Sequence, residues 1–304
     1  MDKVFVIIVT YNGMEWYKRC FSSLRASTIP VSIIVVDNAS SDGSAEYLKS
    51  EFPEILLIES KDNLGFGKGN NLALKNALDN GGDYVFLLNQ DTWLIDSNTI
   101  EELIRIHKEN PQFGILSPMH LRSDEKELWM LWENGNNDCS SRLVSDLYCH
   151  KMRDVYETNY VNAAAWLLPR KTIECVGGFD PLFQHYEEDD DYLNRTSFHG
   201  FKIGICPSVR IVHDHQKELK NPFNSFSRYH REQQLLVKLL DVNHPNSVNQ
   251  FVRFFIRKCA SSLLSGNIKA FKHFYQDLSY VLSNKSRILR HKEINSKTGA
   301  SWLM

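Results

Sequence analysis

Residues 4–12 read VFVIIVTYN, an uninterrupted run of β-branched and aromatic residues that ends in polar side chains. A segment that is apolar at every position is typical of a strand buried on both faces of a sheet. The chain that follows alternates apolar runs with stretches of helical spacing. We predict strands over 4–9, 32–36, 55–59 and 84–88, and helices over 15–26, around 47–48 and over 72–78. This βαβαβαβ order predicts a mostly parallel α/β sheet with helices on both faces.

Polar side chains follow three of these strands, at the point where each strand ends. The clusters are Thr10-Tyr11-Asn12, Asp37-Asn38 and Asn89-Gln90-Asp91. Each cluster alone has an ordinary interpretation as turn chemistry. Because ligands of parallel α/β sheets bind beyond the carboxyl ends of the strands, we expect the three together to form a binding site.

Asp37 and Asp91 are the two carboxylates expected at this edge, and each can bind a different part of a nucleotide ligand. The carboxylate of Asp37 can accept a hydrogen bond from the imide N–H of a pyrimidine base, which residues 10–12 would frame. Carboxylate and amide oxygens suit Mg²⁺ or Mn²⁺, which commonly bridge proteins to diphosphate oxygens. A divalent ion at Asp91 would neutralise charge on a departing nucleoside diphosphate.

Residues 63–71, NLGFGKGNN, are predicted to form a glycine-rich loop before the helix over 72–78. Gly65, Gly67 and Gly69 would allow close approach of the backbone to a ligand, and Lys68 would offer a cation to phosphate. The pattern matches neither GxGxxG nor GxxxxGK[ST], so by itself it is a weak signal.

The acidic run over 187–191, EEDDD, is the most distinctive motif in the second half of the chain. Five adjacent carboxylates repel one another, which favours a cation in their midst over a purely structural use. The alternative is a solvated acidic loop. His213 and His215 follow in a strand-like context, and neutral imidazole is a common metal ligand. We expect the acidic run, Asp91 and one of these histidines to converge on one ion.

Several motifs, in one fixed order, resemble those of the inverting glycosyltransferases of family 2. The motifs are Val9–Asn12, Val35–Ser44, Asn63–Asn71, Leu87–Thr92, Gly177–Asp180, Tyr186–Asp191 with Arg195, and His213. The branch that the chain most resembles contains bacterial rhamnosyltransferases of cell-surface polysaccharide synthesis. The resemblance covers residues 3–216 and implies the GT-A fold, in which a nucleotide-binding α/β domain is fused to an acceptor-binding region.

Carried over to this chain, the resemblance implies a role for each matching residue. Asp189 would be the general base, and Glu188 would orient the acceptor or the base. Asp91 matches the last acid of the family's DxD metal motif, with Asn89 at its first position, and His213 would be a further ligand of metal or diphosphate. The residues expected to bind the nucleotide sugar are Thr10, Tyr11, Asn12, Asp37, Asn38, Asn63, Gly67, Lys68, Asn71, Asn89 and Gln90.

The implied reaction is a single displacement from a nucleotide-diphosphate sugar, dTDP-rhamnose or a UDP-hexose, to a saccharide or lipid-linked saccharide. We expect residues 1–118 to bind the donor, 119–216 to supply the acceptor and catalytic half, and 217–304 to form a helical region. One alternative is a sugar-1-phosphate nucleotidyltransferase, which would need a loop rich in Gly and Arg where residues 11–15 stand. Another is an inactive sugar-nucleotide-binding or scaffold subunit.

Composition narrows the class of protein further. The chain has 304 residues, 42% hydrophobic and 24% charged, which excludes a disordered protein, and its net charge of −2 argues against a nucleic-acid binder. Its apolar runs are of strand length, and the start lacks a signal peptide, so we expect a cytoplasmic protein. Six cysteines show no zinc-ligand spacing.

The last third of the chain is helical in spacing and locally basic. Between residues 251 and 292 there are nine Lys or Arg and one acid, interleaved with aromatic residues. Such a segment fits an anionic membrane surface, which would give the protein a peripheral contact with the cytoplasmic membrane. The alternative is a packed appendage with a solvated basic face. Trp129, Trp132 and Trp166 are either sugar-stacking or core residues.

Overall fold

A computed structural model describes residues 2–129, 140–214 and 228–303. Trp132 and His215, both singled out above, lie outside these described residues. The strands are β1 (Val4–Thr10), β2 (Val31–Asp37), β3 (Leu56–Glu59), β4 (Tyr84–Leu88), β5 (Thr92–Leu94), β6 (Phe113–Leu121), β7 (Tyr156–Glu157), β8 (Ala165–Pro169) and β9 (Lys202–His213). The helices are α1 (Met14–Arg25), α2 (Ser44–Glu51), α3 (Gly65–Asp79), α4 (Thr99–Glu109), α5 (Ser140–Tyr148), α6 (Arg170–Val176), α7 (Glu188–Phe198), α8 (Arg228–Leu240), α9 (Ser247–Leu264) and α10 (Ile268–Asn295).

The described strands form one mixed sheet in the order β3-β2-β1-β4-β8-β6-β9-β5, and β7 pairs with β9. The first four strands of this order are parallel. Strand β8 runs antiparallel between β4 and β6, and β5 runs antiparallel to β9. The prediction of a mostly parallel α/β sheet is confirmed.

Burial on both faces explains the apolar run of β1. Val4, Val6 and Ile8 belong to the hydrophobic cluster under α1 and α4. Phe5 and Ile7 belong to the cluster on the opposite face, under α3 and α6. Because successive side chains of a strand point to opposite faces, a strand covered by helices on both sides is apolar at every position.

The prediction of a loop over residues 63–71 is wrong, because α3 begins at Gly65. The glycines serve helix packing. A β-carbon on Gly67 would lie 3.0 Å from Cβ of Phe179, and one on Gly69 would lie 2.9 Å from Cγ1 of Val9. The small residues therefore let the first turns of α3 lie close to the sheet and to the chain before α7.

The sheet is continuous across residue 118, where we expected one half of the domain to end. Strand β6 runs through this position, and β8 lies between β4 and β6. Residues on both sides of position 118 therefore contribute to one layer. The acidic run is also not a loop, because α7 begins at Glu188.

Helices α8, α9 and α10 share a hydrophobic cluster of their own, which also includes Phe183. Lys292 of α10 is buried, and its Nζ donates to the carbonyl of His244 at 2.6 Å and to Oγ of Ser247 at 2.8 Å. This cation is therefore part of the packing and not of a solvated basic face. Across the described ranges, none of the helices combines the length and apolar character needed to cross a bilayer.

Candidate active site

Two adjoining cavities open at the carboxyl ends of β1 and β4. The larger, of about 760 Å³, is lined by Val9, Thr10, Tyr11, Asn38, Asn63, Leu64, Gly65, Phe66, Lys68, Asn89, Gln90, Asp91, Gln184 and His185. The smaller, of about 400 Å³, is lined by Phe66, Asn89, Asp91, Trp129, Tyr160, Asn162, Ala163, Ala164, His185, Tyr186, Glu187, Glu188, Asp189, Asp190 and His213. We call them the first and the second cavity. Phe66, Asn89, Asp91 and His185 belong to both.

Tyr11 and Gln90 hold the ends of β1 and β4 together at the mouth of the first cavity. The backbone N–H of Tyr11 donates to Oε1 of Gln90 at 2.9 Å, and Nε2 of Gln90 donates to the carbonyl of Tyr11 at 3.2 Å. This pairing is possible because β1 and β4 are adjacent parallel strands. The side chain of Tyr11 remains exposed beside it.

Asn38 lines the first cavity and also holds the start of α3. Its Nδ2 donates to the carbonyl of Gly65 at 3.2 Å, and its Oδ1 accepts from the N–H of Leu64 at 3.3 Å. Lys68, one helical turn further on, is exposed on the cavity wall. The end of β2 and the start of α3 are thereby joined on one side of the cavity.

Asp37 and Asn12 lie behind the wall of the first cavity. Asp37 is buried, and its two carboxylate oxygens accept from Oγ1 of Thr10 at 3.3 Å and from the N–H of Ser40 at 3.0 Å. Asn12 is bonded to the loop after β2, where its Oδ1 accepts from the N–H of Ser41 at 2.8 Å. Both residues shape the rim through hydrogen bonds within the protein.

Gly67 and Asn71 also lie away from the wall of the first cavity. Asn71 is buried, its Nδ2 donates to the carbonyl of Phe179 at 2.8 Å, and its Oδ1 accepts from the N–H of Phe179 at 2.7 Å. Gly67 faces the same phenylalanine. Together they join α3 to the segment that leads into α7.

Asp91 and His213 meet between the two cavities. Strand pairing places Thr92 opposite His213, so the carboxylate of Asp91 lies beside the imidazole, with Oδ1 3.6 Å from Nε2. The side chain of Asp91 is 19% exposed and that of His213 is 1% exposed. The carboxylate therefore lines both cavities, while the buried imidazole lines the second.

Aromatic rings enclose His213 on its other sides. The indole of Trp129 lies 5.5 Å from the His213 ring at 34°, and His120 lies 5.8 Å away at 82°. Burial and the neighbouring His213 hold the pKa of His120 well below its usual range. Trp166 is fully buried against Phe179 and Tyr192, which confirms the core alternative for that residue.

Four of the five acids of the run, Glu188–Asp191, form the first turn of α7, where the helix N-terminus favours negative charge. Tyr186 and Glu187 precede the helix, and both have φ of 70°, a left-handed conformation that is costly for residues with a β-carbon. This bend turns Glu188, Asp189 and Asp190 into the second cavity.

Burial is the main cause of raised pKa values in this turn. It raises the pKa of Glu188 to about 8, with a further contribution from the charge of Asp189. It raises the pKa of Asp190 to about 8, with contributions from Asp189 and Glu187. The pKa of Asp189 is also raised, although the backbone N–H groups of Asp190 and Ala163 oppose the shift. Oε2 of Glu188 is buried without a hydrogen-bond partner among the described residues.

The C-terminal helices support the segment that carries these carboxylates. His291 Nδ1 lies 2.7 Å from Oδ1 of Asp180, and Nδ2 of Asn295 donates to Oδ2 of Asp180 at 2.8 Å. Trp302 stacks on His291 with ring centroids 4.6 Å apart. From α8, the hydroxyl of Tyr229 donates to the carbonyl of His185 at 2.9 Å.

The Asp91 site is suited to a hard divalent cation shared with a substrate. Within residues 2–129, 140–214 and 228–303, no group of three His, Cys, Asp or Glu is arranged to hold a metal by itself. Mg²⁺ and Mn²⁺ sites often use one or two protein ligands and complete their shell with water and substrate phosphates. A partly exposed carboxylate beside an imidazole, at the edge of a large cavity, fits such a site.

Sequence reasoning did not foresee Phe66, His185 and Tyr186 as cavity residues. Phe66 lay in the segment taken for a loop, and no spacing rule points to the pair before the acidic run. The strain at Tyr186 and Glu187 is a property of backbone geometry, which the residue types do not reveal.

Comparison with known proteins explains this arrangement. Residues 5–166, more than half of the chain, match the sequence profile described as Glycosyl transferase family 2. The chain belongs to glycosyltransferase family 2. Its resemblance to that family, and to the rhamnosyltransferases within it, is thereby confirmed.

Relatives of this glycosyltransferase include several rhamnosyltransferases. It is 23% identical over 258 residues to the "N-acetylglucosaminyl-diphospho-decaprenol L-rhamnosyltransferase" of Mycobacterium tuberculosis, covering 76% of this chain and 82% of the relative. It is 26% identical over 230 residues to the "O-antigen chain rhamnosyltransferase RfbN" of Salmonella typhimurium, covering 75% and 70%.

Solved structures show that this glycosyltransferase has the GT-A fold. TarS of S. aureus in complex with UDP-GlcNAc superposes with a TM-score of 0.57 at 15% identity, covering 97% of this chain and 88% of that one. A mannosyltransferase from Pyrobaculum calidifontis in complex with GDP-Man and Mn²⁺ gives 0.53 at 16% identity, covering 96% and 73%.

Proposed function

We propose that this glycosyltransferase transfers a sugar, with inversion, from dTDP-rhamnose or a UDP-hexose to a saccharide acceptor in cell-surface polysaccharide synthesis. The observation that carries the proposal is the shared wall of the two cavities. Asp91 borders both the first cavity, with Lys68 and Gln90, and the second, with Asp189. A donor diphosphate in the first cavity and a proton acceptor in the second would therefore both lie next to Asp91.

The first cavity is assigned to the donor. Thr10, Tyr11 and Asn38 would contact its nucleoside, and Asn63, Lys68, Asn89 and Gln90 its sugar diphosphate. Asn12, Asp37, Gly67 and Asn71 would act by holding that wall in place. The dTDP-rhamnose assignment is supported by the names of the relatives, among them the "dTDP-rhamnosyl transferase RfbF" of Shigella flexneri.

The second cavity is assigned to the acceptor and the proton transfer. Asp189 would accept the proton of the acceptor hydroxyl as that oxygen attacks the anomeric carbon. Glu188, whose pKa of about 8 keeps it protonated at neutral pH, would donate a hydrogen bond that orients the acceptor. Trp129 and Tyr186, on the cavity wall, offer ring faces to sugar carbons.

Asp91, with His213 beside it, would hold Mn²⁺ or Mg²⁺. When bound there, the cation neutralises charge on the leaving diphosphate. The resident side chains fit this use because the cavity side of Asp91 is open while His213 is held by packing. Lys68 adds a second positive charge on the far side of the first cavity.

The acceptor is proposed to be a lipid-linked saccharide, because the name of the mycobacterial relative gives that protein an N-acetylglucosaminyl-diphospho-decaprenol acceptor. The enzyme would then work at the cytoplasmic face of the membrane as a peripheral protein.

Nucleotide binding and product analysis test the proposal. Calorimetry with dTDP, UDP and GDP, each with and without Mn²⁺, should show metal-dependent affinity for at least one. The variant Asp91→Ala should weaken the metal-dependent affinity about 10- to 100-fold while leaving metal-free binding unchanged. Equal affinity of parent and variant in Mn²⁺ would contradict the metal site.

NMR of the transferred anomeric linkage should show inversion relative to the donor. A protein that binds nucleotide sugar but neither transfers nor hydrolyses it would instead be the inactive binding subunit.

A further inference from the structure

The turn between α9 and α10 presents highly exposed apolar side chains. Leu263 and Leu264 end α9 and Ile268 begins α10, and these residues are 53%, 91% and 54% exposed. Leu264 is the most exposed large hydrophobic residue in the described part of the chain. Asn267 caps α10, its Oδ1 accepting from the N–H of Ala270 at 3.0 Å, so the turn is well defined. We call these three apolar residues the hairpin tip.

The chain around the hairpin tip is basic and lacks acids. No Asp or Glu occurs from residue 242 to residue 276. Five exposed cations occur in the same interval, namely Arg253, Arg257, Lys258, Lys269 and Lys272. Asp277, the next acid, is buried and pairs with Arg231 of α8 at 2.9 Å. It therefore does not neutralise the positive charge near the tip.

The other end of α10 is anchored near the second cavity. His291 and Asn295 bond to Asp180, which precedes the carboxylates of α7. Ile268 lies 23 residues before His291, which corresponds to about 35 Å along a helix. The hairpin thus links a basic, apolar tip to the segment that carries the proposed base.

We propose that the hairpin tip docks on an anionic lipid bilayer. Leu263, Leu264 and Ile268 enter the interfacial layer, and the five cations lie against the headgroup phosphates. Exposed apolar side chains flanked in sequence by exposed Lys and Arg are the combination that interfacial elements use. A second copy of this chain would cover the apolar residues but would bring two uncompensated basic surfaces together, which like-charge repulsion opposes.

This inference rests on the proposed function in one respect, which is that a lipid-linked acceptor would lie at the membrane surface on which the hairpin tip docks. Binding is therefore measured without donor or acceptor. The full chain is sedimented with vesicles of phosphatidylcholine, with and without phosphatidylglycerol. The parent should bind only the anionic vesicles, and added salt should weaken that binding.

The decisive variant is Leu263→Ser/Leu264→Ser/Ile268→Ser, which should partition to anionic vesicles at least about tenfold more weakly. The matched control is Leu282→Ser/Leu289→Ser, which changes two residues of α10 that are 51% and 43% exposed but remote from the tip. This control should bind like the parent. All the changed side chains are exposed, so both variants should show the parent's thermal unfolding.

Three results would overturn the proposal. They are absence of parent binding to anionic vesicles, parent-like binding by the tip variant, and a parent dimer that the tip variant dissociates while vesicle binding is unchanged. Calorimetric affinity for nucleotide, measured on the same samples, reports on the proposed function separately. Loss of vesicle binding with intact nucleotide affinity supports the docking surface.

Discussion

The first turn of α7 contains four acids in two different environments. Asp191 lies in the protein interior, and Glu188–Asp190 line the second cavity. Asp191 is buried 2.8 Å from Nε of Arg195, whose other nitrogens donate to the carbonyls of Val176 and Gly178. The neighbouring carboxylates face the second cavity, whose described lining contains no Lys or Arg. One acid is therefore neutralised inside the protein, and the others are left for a substrate or a metal.

This contrast shows that residue type does not decide what a carboxylate does. Four acids of the run and Asp91 line one small cavity, and burial raises the pKa of Glu188 and of Asp190 to about 8 there. Such a cavity favours ligands that bring positive charge or hydroxyl donors. The pair Asp191–Arg195 instead fixes the helix that presents them.

Asp189→Asn should give the largest effect. If Asp189 is the base, transfer should fall about 10³- to 10⁴-fold, because the amide cannot accept the proton. Asp190→Asn, a change of the same kind one residue away, should lower the rate far less. Initial rates with saturating donor and acceptor, together with nucleotide affinity by calorimetry, measure both. Parent-like transfer by Asp189→Asn would contradict its assignment.

Arg195→Met should lower the free energy of unfolding by about 3–5 kcal/mol, because it leaves the buried carboxylate of Asp191 without its cation. Urea unfolding followed by circular dichroism measures the change. The double variant Arg195→Met/Asp191→Leu should recover part of the loss, since no charge is then left buried. No recovery would mean that the bonds from Arg195 to Val176 and Gly178 carry most of the effect.

His291→Ala should cost about 2 kcal/mol of stability, because buried Asp180 loses a charge-assisted partner. The matched control is His244→Ala, since His244 pairs with Asp241 but is 75% exposed. That pair should contribute less than about 1 kcal/mol. Equal losses in urea unfolding would show that the contact of His291 with Asp180 contributes no more than the exposed pair, with Asn295 remaining as a partner of Asp180 from α10.

Asp190→Asn should give the smallest effect, a stabilisation that depends on pH. The pKa of Asp190 is raised to about 8, so between about pH 4 and pH 8 the folded state binds more protons than the unfolded state. Stability of the parent should therefore fall as pH rises through this window. The advantage of the variant over the parent should therefore grow from pH 5 to pH 8. A constant difference across this range in thermal unfolding would argue against the raised pKa.

Much of the donor-binding half follows from local sequence. Each predicted strand among the first 88 residues is present within two residues of its expected ends. Strands β1 and β4 are buried along nearly their whole length, and a strand covered on both faces must be apolar throughout, whereas the edge strand β3 is partly exposed. The polar clusters after β1 and β4 line one cavity because parallel strands end at one edge. The role of Asp37 toward a nucleotide base stays a prediction, since the hydrogen bonds from Thr10 and Ser40 leave each carboxylate oxygen able to accept another.

The glycine-rich segment, residues 63–71, shows where prediction from local sequence fails. Gly67 and Gly69 were interpreted as room for a ligand, but the space is taken by Phe179 and Val9. A glycine allows another group to lie close to the backbone, but the residue type does not show whether that group is a ligand or a side chain of the protein. Lys292 is a similar case, because composition counted it among the basic residues while packing buries it.

Sequence alone determined the fold class, the family and the residue types at the site, because these depend on periodicity and on motifs within short segments. Only the tertiary structure decided which groups meet. Asp91 and His213 are far apart in the chain and become neighbours through the pairing of β5 with β9. Asp189 and Asp191 differ by whether a cation faces them. Such contacts depend on long-range register and burial, which no local pattern encodes.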